Sequence, residues 1–182
     1  MLVIHPHDQS TAMLSVLYHG LGAQVVTANC SGRQMGHLLH GVSSRECIML
    51  LGHGSDRGLF YREDDGAEGF DKIIVGHSQA YLLRQHGLML IGVWCHANLF
   101  AQAEGLHGLF SGMIISERHK AEEYGIEASP QEILASNQVM FGKLRGLLDR
   151  GVPLHEIPLR MSLLDEEHTA LSKFNYGNFH YL

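Results

Sequence analysis

The chain has 182 residues, of which 45% are hydrophobic and 18% are charged, and its formal net charge is −6 at pH 7. This length predicts one domain, spanning residues 1–182, with a sizeable core. The negative charge offers no attraction to nucleic acid or to an anionic membrane, so neither is expected as a partner. The sequence shows no secretion leader and no apolar segment of membrane-spanning length, so a cytoplasmic location is expected.

The chain contains three cysteines, Cys30, Cys47 and Cys95. Their odd number and wide spacing indicate no disulfide framework, and no CxxC pair points to structural zinc. We interpret Cys30 and Cys47 as small buried hydrophobic residues. Cys95 differs from them because it follows directly on a long apolar run.

Short apolar runs alternate with helical patterns in the first half of the chain. In order, these are a strand at 2–4, a helix from Ser10 or Thr11 to about Leu21, a strand at 23–28, a helix at 31–40, a strand at 47–51, a hairpin arm at 58–62 with turn residues at 63–66, a strand at 73–75 and a helix that Ser78 caps. This alternation is typical of an α/β domain with right-handed crossovers.

Two more strands precede a C-terminal portion, from about residue 119 onwards, in which helical patterns dominate. In order, the second half has a strand at 88–94, a helix from Asn98 to about Leu106, a strand at 110–115, a helix from Ser129-Pro130 to Arg150, a weaker helix at 159–171 and an aromatic tail at 174–181. The cap, the proline and the following Glu132 predict the start at Ser129. The tail is interpreted as a last strand or a packed cover.

The two longest apolar runs, at 47–51 and 88–94, lack polar alternation, as do strands that are covered on both faces. We therefore predict a mostly parallel sheet with helices on both faces. In a flavodoxin-like order the second long run neighbours the first. His53 and Cys95, which follow these runs, would then face each other across one strand spacing of about 4.8 Å.

The histidine is distinguished by its position. In a chain with 14 histidines and 21 glycines, a His-Gly pair carries little weight by itself. Most such pairs here fall where helices are predicted to end, and glycine commonly ends helices. Only His53-Gly54 follows a strand of the buried type.

Residues 48–61, Ile-Met-Leu-Leu-Gly-His-Gly-Ser-Asp-Arg-Gly-Leu-Phe-Tyr, resemble the caspase- and haemoglobinase-type cysteine peptidases. This group includes caspases, metacaspases, legumain, clostripain and gingipains. In these families a strand delivers a His-Gly pair, a hairpin follows, and a later strand delivers the nucleophilic cysteine. Here residues 90–97 supply the later element, with Cys95 placed 42 positions after His53. The resemblance extends over about residues 1–117 and implies a caspase-like fold.

The resemblance implies a cysteine endopeptidase that acts on peptide or protein substrates and needs no cofactor. Cys95 would be the nucleophile and form a thioester, because the thiolate is the reactive form of cysteine. His53 would act first as general base and then as general acid. The amides of Gly54 and Cys95 would form the oxyanion hole. Because caspase relatives often dimerise through their last strand, the resemblance also implies a homodimer.

Three charged residues are candidates for substrate binding. In the related folds the loop after the first strand often lines the primary specificity pocket, and Asp8 in that loop would favour lysine or arginine. Glu117 would favour the same residues, whereas its neighbour Arg118 would favour an acidic one. The chain departs from caspases at Val93-Trp94 and Ala97, where caspases usually have Gln-Ala and glycine. The segment between Cys95 and the strand at Phe110 is also too short for the cleavable linker of a maturing caspase. These departures argue against aspartate specificity and caspase-type processing.

Two other interpretations remain open at this stage. A member of the same fold can be catalytically inactive and serve as a binding or regulatory module, and the altered residues around Cys95 favour this alternative. A metal-dependent hydrolase would require a cluster of ligands. The candidate ligand sets are His5, His7 and Asp8, or His53, His77, Cys95 and His96.

Overall fold

The computed structural model describes residues 1–62, 72–86 and 89–182 and shows an α/β fold. The strands in these residues are β1 (Leu2–Ile4), β2 (Gln24–Val26), β3 (Ile48–Leu51), β4 (Gly54–Ser55), β5 (Gly58–Tyr61), β6 (Lys72–Gly76), β7 (Leu90–Val93), β8 (Leu109–Ser111) and β9 (Phe179–Tyr181). The α-helices are α1 (Gly32–His40), α2 (His77–Leu83), α3 (Ala97–Glu104), α4 (Arg118–Glu123), α5 (Pro130–Asp149), α6 (Ile157–Leu163) and α7 (Ala170–Tyr176). Shorter 3-10 helices lie at Gln9–Leu17, Arg84–His86 and Leu154–Glu156.

The main sheet has six strands in the order β2-β1-β3-β7-β8-β9. Neighbouring strands from β2 to β8 are parallel, and β9 pairs antiparallel with β8. This confirms the predicted strand order, with β1 between β2 and β3 and with β7 next to β3. The aromatic tail forms the last strand, which was one of its two predicted states.

Helices cover both faces of the main sheet, as predicted. Side chains alternate between the faces along each strand. Ile4 and Leu50 pack with α1, α2 and α3 on one side, whereas Val3 and Met49 pack with α5, α6, α7 and the Gln9–Leu17 helix on the other. No helix among the described residues has both the length and the apolar character needed to cross a membrane.

A second, antiparallel sheet has the order β4-β5-β6 and follows directly on β3. Its β5 strand confirms the predicted hairpin arm. The turn predicted at residues 63–66 lies outside the described residues, as does the start of the strand predicted from residue 88.

Two helices begin as their sequences predict. Ser31 and Gln34 form a reciprocal capping box at α1, in which the Ser31 amide donates to the Gln34 side chain at 2.8 Å. Ser129 and Glu132 form another at α5, with Pro130 in the first turn. Such boxes satisfy amides that have no partner inside the helix.

The helix predicted to start at Ser10 or Thr11 differs from its prediction. It is a 3-10 helix over Gln9–Leu17 and ends before Leu21. Its cap is Asp8, whose Oδ1 accepts the Ser10 amide at 2.8 Å. The short Asp-x-Ser turn therefore takes over the capping role that we assigned to the hydroxyl residues.

Two further local predictions are wrong. Ser78 does not cap α2, because the helix begins at His77 with Gly76 as its N-cap and Ser78 donates to the Gln79 side chain at 3.0 Å. The single helix predicted at 159–171 is divided into α6 and α7. Between them Asp165 Oδ1 accepts two backbone amides at 3.1 Å, and this turn interrupts the helix.

His5 connects β1 to the 3-10 helix and is only 5% exposed. Its Nδ1 lies 3.0 Å from the Tyr18 hydroxyl and its Nε2 lies 3.4 Å from Thr11 Oγ1. Burial lowers the pKa of His5 from 6.5 to about 4, although a hydrogen bond with Thr11 and the charge of Asp8 act in the opposite direction. The imidazole is therefore neutral in the folded protein at pH 7.

As the pH falls from 6.5 to about 4, we expect the burial of neutral His5 to lower the free energy of unfolding by roughly 3 kcal/mol. Below pH 6.5 the unfolded chain binds a proton on this histidine, whereas the folded chain binds it only near pH 4. Denaturant titrations across this range should show that His5→Gln weakens the acid dependence. His19→Gln, at an exposed position, is the matched control. Identical profiles for the two variants would contradict the assignment.

Candidate active site

The ends of β3 and β7 bring the two predicted reactive residues to one edge of the sheet. Leu51 pairs with Val93, and the Gly52 amide donates to the Val93 carbonyl at 3.1 Å. His53 and Cys95 each lie two positions beyond this pair. Since parallel strands present their carboxyl ends at the same edge, both residues leave the sheet side by side.

His53 and Cys95 line the same cavity, which has a volume of about 30 Å³. Apolar side chains supply much of the remaining wall. These include Met13, Leu14, Val93, Ile114 and Phe141. The volume suffices for a water molecule or a carbonyl oxygen but not for a side chain. The cavity is thus a point at which one small group can contact the imidazole and the thiol together.

Trp94 ties the cysteine segment to the histidine segment. Its ring is buried, and its Nε1 donates to the Ser55 carbonyl at 3.0 Å. A Cβ at Gly54 would overlap this ring and the carbonyl oxygen of Gly58. Only glycine allows the strand that follows His53 to approach the indole this closely.

The backbone amides predicted to form the oxyanion hole have distinct environments. Gly54 pairs with Leu59, and the Phe60 amide donates to the His53 carbonyl at 2.8 Å. Gly54 therefore occupies a non-hydrogen-bonded position of the ladder, and its N–H points away from β5. The Cys95 amide lies against its own thiol and acts to lower the pKa of that thiol.

The chain turns sharply after the cysteine. His96 has φ 66° and ψ 27°, a left-handed conformation that is unusual for a residue other than glycine. Its amide donates to the Gly112 carbonyl at 3.2 Å, which holds the turn against the segment after β8. Such backbone strain costs about 1–3 kcal/mol and is concentrated at functional sites.

Two buried amides hold the segment that follows β8. Asn175 accepts the Ile115 amide at 2.9 Å, and both Asn137 and Asn175 donate to the Ile115 carbonyl, at 2.9 and 3.0 Å. This network fixes the neighbouring Ile114, whose carbonyl oxygen lies 3.9 Å from Cys95 Sγ. One wall of the cavity is therefore set by residues distant in the sequence.

Burial raises the pKa of the Cys95 thiol. A hydrogen bond with the Ile114 backbone and the charge of Lys120 act to lower this pKa, whereas Glu117 raises it further. Burial is the largest of these effects. Cys95 is consequently a thiol, not a thiolate, at neutral pH.

Asp8, Ser10 and Arg62 surround one edge of the His53 ring. His53 Nε2 lies 2.7 Å from Ser10 Oγ and 3.4 Å from Asp8 Oδ2. Arg62 Nη1 lies 3.8 Å from the same Asp8 oxygen. Burial lowers the pKa of His53 more than the neighbouring Asp8 charge raises it. At neutral pH the site therefore holds a neutral imidazole.

Asp8 is itself buried, which would raise its pKa. Hydrogen bonds from Ser10, together with the charges of His53 and Arg62, outweigh burial and hold the pKa of Asp8 below its usual value. The carboxylate is thus ionised and already faces three partners. Its role in binding a basic substrate side chain remains a prediction.

The other two substrate-binding candidates lie in different places. The charge of Glu117 acts on both His53 and Cys95, and its carboxylate lies 3.2 Å from His119 Nδ1. Arg118 donates to Glu122 at 2.8 Å and lines a separate open cleft with Ile126. Both assignments remain predictions. Ser116 lines the cavity, and Glu117 is the next residue in the chain.

Sequence reasoning missed Ser10 and Arg62 as members of this site. Ser10 was interpreted only as a helix cap, although an Asp-x-Ser spacing is a known turn signal that binds a serine to a preceding carboxylate. Arg62 ends the predicted hairpin arm, and nothing local distinguishes it from other surface arginines.

Among the described residues, no three or more His, Cys, Asp and Glu side chains are grouped so that they could hold a metal ion. His77, one of the candidate ligands, lies 2.8 Å from the Glu104 carboxylate.

Cys30 and Cys47 pack against hydrophobic clusters, as expected, and burial raises the pKa of Cys47 to about 11.

No protein-family model matches the chain, and no curated protein matches its sequence.

We expect Cys95 to be alkylated slowly at pH 7 and faster as the pH rises beyond the range in which an ordinary thiol ionises. Burial raises its pKa, and only the thiolate reacts. Peptide mass spectrometry after iodoacetamide treatment, from about pH 6 to pH 10, measures the rate against N-acetylcysteine. Lys120→Gln should move the midpoint higher, and Lys173→Gln, at an exposed position, should not. A rate already maximal below pH 7 would disprove the thiol assignment.

Proposed function

We propose that this protein is a caspase-like cysteine peptidase in which Cys95 is the nucleophile and His53 is the general base. One observation carries the proposal: the two residues follow paired strands and line one cavity. An imidazole and a thiol that share a small, largely apolar cavity form the minimal unit of thiol catalysis.

The order of the elements supports the same proposal. The chain runs from β3 through His53-Gly54 into the β4–β5 hairpin, and later from β7 into Cys95. The caspase- and haemoglobinase-type peptidases have this succession of strand, His-Gly pair, hairpin, strand and cysteine. The proposal of a caspase-like family, rather than another α/β family, rests on this correspondence.

The reaction begins from neutral groups. As a substrate carbonyl enters the cavity, His53 takes the proton of Cys95 Sγ, and the sulfur bonds to the carbonyl carbon. The carbonyl oxygen becomes an oxyanion, which the Gly54 and Cys95 amides stabilise by about 3 kcal/mol each. The intermediate collapses to a thioester, and the amine leaves with the proton from His53.

Hydrolysis of the thioester completes the cycle. A water molecule gives a proton to His53 while its oxygen attacks the thioester carbon. The second tetrahedral intermediate breaks at the carbon–sulfur bond, and the carboxylic product departs. The sulfur regains the proton from His53, which restores the starting state.

Glu117 favours a substrate with lysine or arginine beside the scissile bond. Its carboxylate is 36% exposed at the side chain and acts on both reactive residues. The neighbouring acid, Asp8, is buried and already faces Arg62 and His53. Arg118, which would favour an acidic substrate, is paired with Glu122.

A catalytically inactive binding module is the second candidate function. The raised pKa of Cys95 favours it, because a thiol that stays protonated is a poor nucleophile. The two candidates differ in whether Cys95 reacts with an electrophile presented on a peptide. A peptide acyloxymethyl ketone is such a probe.

The purified protein should cleave members of a diverse synthetic peptide mixture, with new termini detected by mass spectrometry. Cys95→Ala should abolish cleavage, and His53→Gln should reduce it roughly 10²- to 10⁴-fold. Cys30→Ala, at a half-buried cysteine remote from the site, is the matched control and should remain active. Cleavage that survives in Cys95→Ala would refute the proposal. Absence of both cleavage and selective ketone labelling at Cys95 would establish the binding module instead.

Glu117→Gln should reduce kcat/KM for substrates with lysine or arginine before the scissile bond by roughly fivefold, which corresponds to about 1 kcal/mol for a partly exposed ion pair. Substrates with a neutral residue there should be unaffected. Arg118→Gln is the comparison, and it should leave both substrate classes unchanged. If Arg118→Gln alone changed selectivity, the substrate-binding charge would be the arginine.

A further inference from the structure

Ser10 stands between the carboxylate of Asp8 and the imidazole of His53. Ser10 Oγ lies 2.6 Å from Asp8 Oδ1 and 2.7 Å from His53 Nε2. Both distances are short for hydrogen bonds of their kind. The direct approach of Asp8 Oδ2 to His53 Nε2 is 3.4 Å, which is longer than a good N–H···O bond.

The positions of the hydrogens follow from the chemistry of the three groups. An ionised carboxylate only accepts hydrogen bonds, so the single hydroxyl hydrogen of Ser10 is donated to Asp8. Ser10 Oγ can then only accept from the imidazole. The short contact with His53 therefore requires a hydrogen on Nε2.

We propose that Ser10 and Asp8 are positioning residues that hold neutral His53 as the tautomer protonated at Nε2, so that Nδ1 is the atom that takes the proton of Cys95. This inference rests on the proposed role of His53 as general base. The histidine tautomer is set by the hydrogen bond that its other nitrogen makes. Here that bond is to a serine hydroxyl, and the carboxylate acts through it.

The structure holds the chain of hydrogen bonds from Asp8 through Ser10 to His53, here called the relay, in place. The Ser10 backbone amide donates to the same Asp8 oxygen, at 2.8 Å; Asp8 is the N-cap of the Gln9–Leu17 helix, and Ser10 lies in its first turn. Asp8 is 7% exposed, so water has little access to compete for its oxygens. The hydroxyl is therefore oriented before any substrate arrives.

The relay has a second consequence when His53 becomes protonated. The imidazolium keeps its Nε2–H bond to Ser10, and the charge of Asp8 stabilises it across the serine. No proton moves from Asp8 or to it. Arg62 faces the other carboxylate oxygen, at 3.8 Å, and reduces this stabilisation without cancelling it.

The first test is the ¹⁵N spectrum of the imidazole in selectively labelled protein, which reports the tautomer without any need for activity. Wild-type His53 should show the Nε2-protonated form, with assignment by loss of the signal in His53→Gln. Ser10→Ala should give a mixture of tautomers, and Ser10→Thr, which keeps the hydroxyl, should restore the wild-type pattern. A wild-type His53 protonated at Nδ1, or a spectrum unchanged in Ser10→Ala, would overturn the inference.

The second test is kinetic. Ser10→Ala should lower kcat roughly tenfold to a hundredfold with little change in KM, and Ser10→Thr should recover most of the loss. The assays are run below the thermal midpoint of every variant, so that a loss of kcat does not report unfolding. Asp8→Asn should move the acidic limb of the kcat/KM profile to lower pH, because the charge of Asp8 raises the pKa of His53. Unaltered kcat in Ser10→Ala would overturn the relay alone, whereas cleavage that survives in Cys95→Ala would overturn the peptidase proposal.

Discussion

The indole of Trp94 donates to the Ser55 carbonyl at 3.0 Å while its ring lies against Gly54. This contact links two loops that leave adjacent strands. The indole joins them beyond the last paired residues, Leu51 and Val93. Because the ring is buried, the hydrogen bond forms where water cannot compete, and its loss would leave an unpaired donor or acceptor. The relative position of the thiol and the imidazole therefore depends on this side chain as well as on the paired strands.

The electrostatics of the site favour neutral groups before reaction. Burial raises the pKa of Cys95 and lowers that of His53, and in both residues it outweighs the charges that oppose it. A thiolate–imidazolium pair is thus not the resting state. In the proposed reaction, charge separates only when a carbonyl is attacked, and the dipoles and charges of the site then act on the transition state rather than on the free protein. A cavity of about 30 Å³ suits this arrangement, because it admits no more than one small group beside the thiol and the imidazole.

How far the sequence predicts this structure depends on the range of the interactions involved. The strands β3 and β7 follow from continuous apolar runs, and α1 and α5 follow from their caps, since each signal lies within a few residues. His53 and Cys95 could be paired because parallel strands end at a common edge. Ser10 and Arg62 could not be placed, since their partners depend on how a helix and a hairpin pack across that edge. The sequence places Asp8 in the loop after β1 but does not reveal that it is buried, because burial depends on how distant segments pack.

Asp8 and Glu117 carry the same charge on two different loops, but their environments differ. Asp8 lies in the turn after β1, beneath the imidazole, where burial and Arg62 leave it no exposed face for a ligand. Its fixed partners make it suited to orienting a group of the protein. Glu117 lies after β8 on a segment that buried amides anchor at Ile115, and its carboxylate is accessible to solvent. An accessible charge can exchange water for a substrate cation at low cost, whereas a buried one cannot without leaving its partners unpaired. Burial, rather than charge, thus separates the residue that we propose orients the base from the one that we propose selects the substrate.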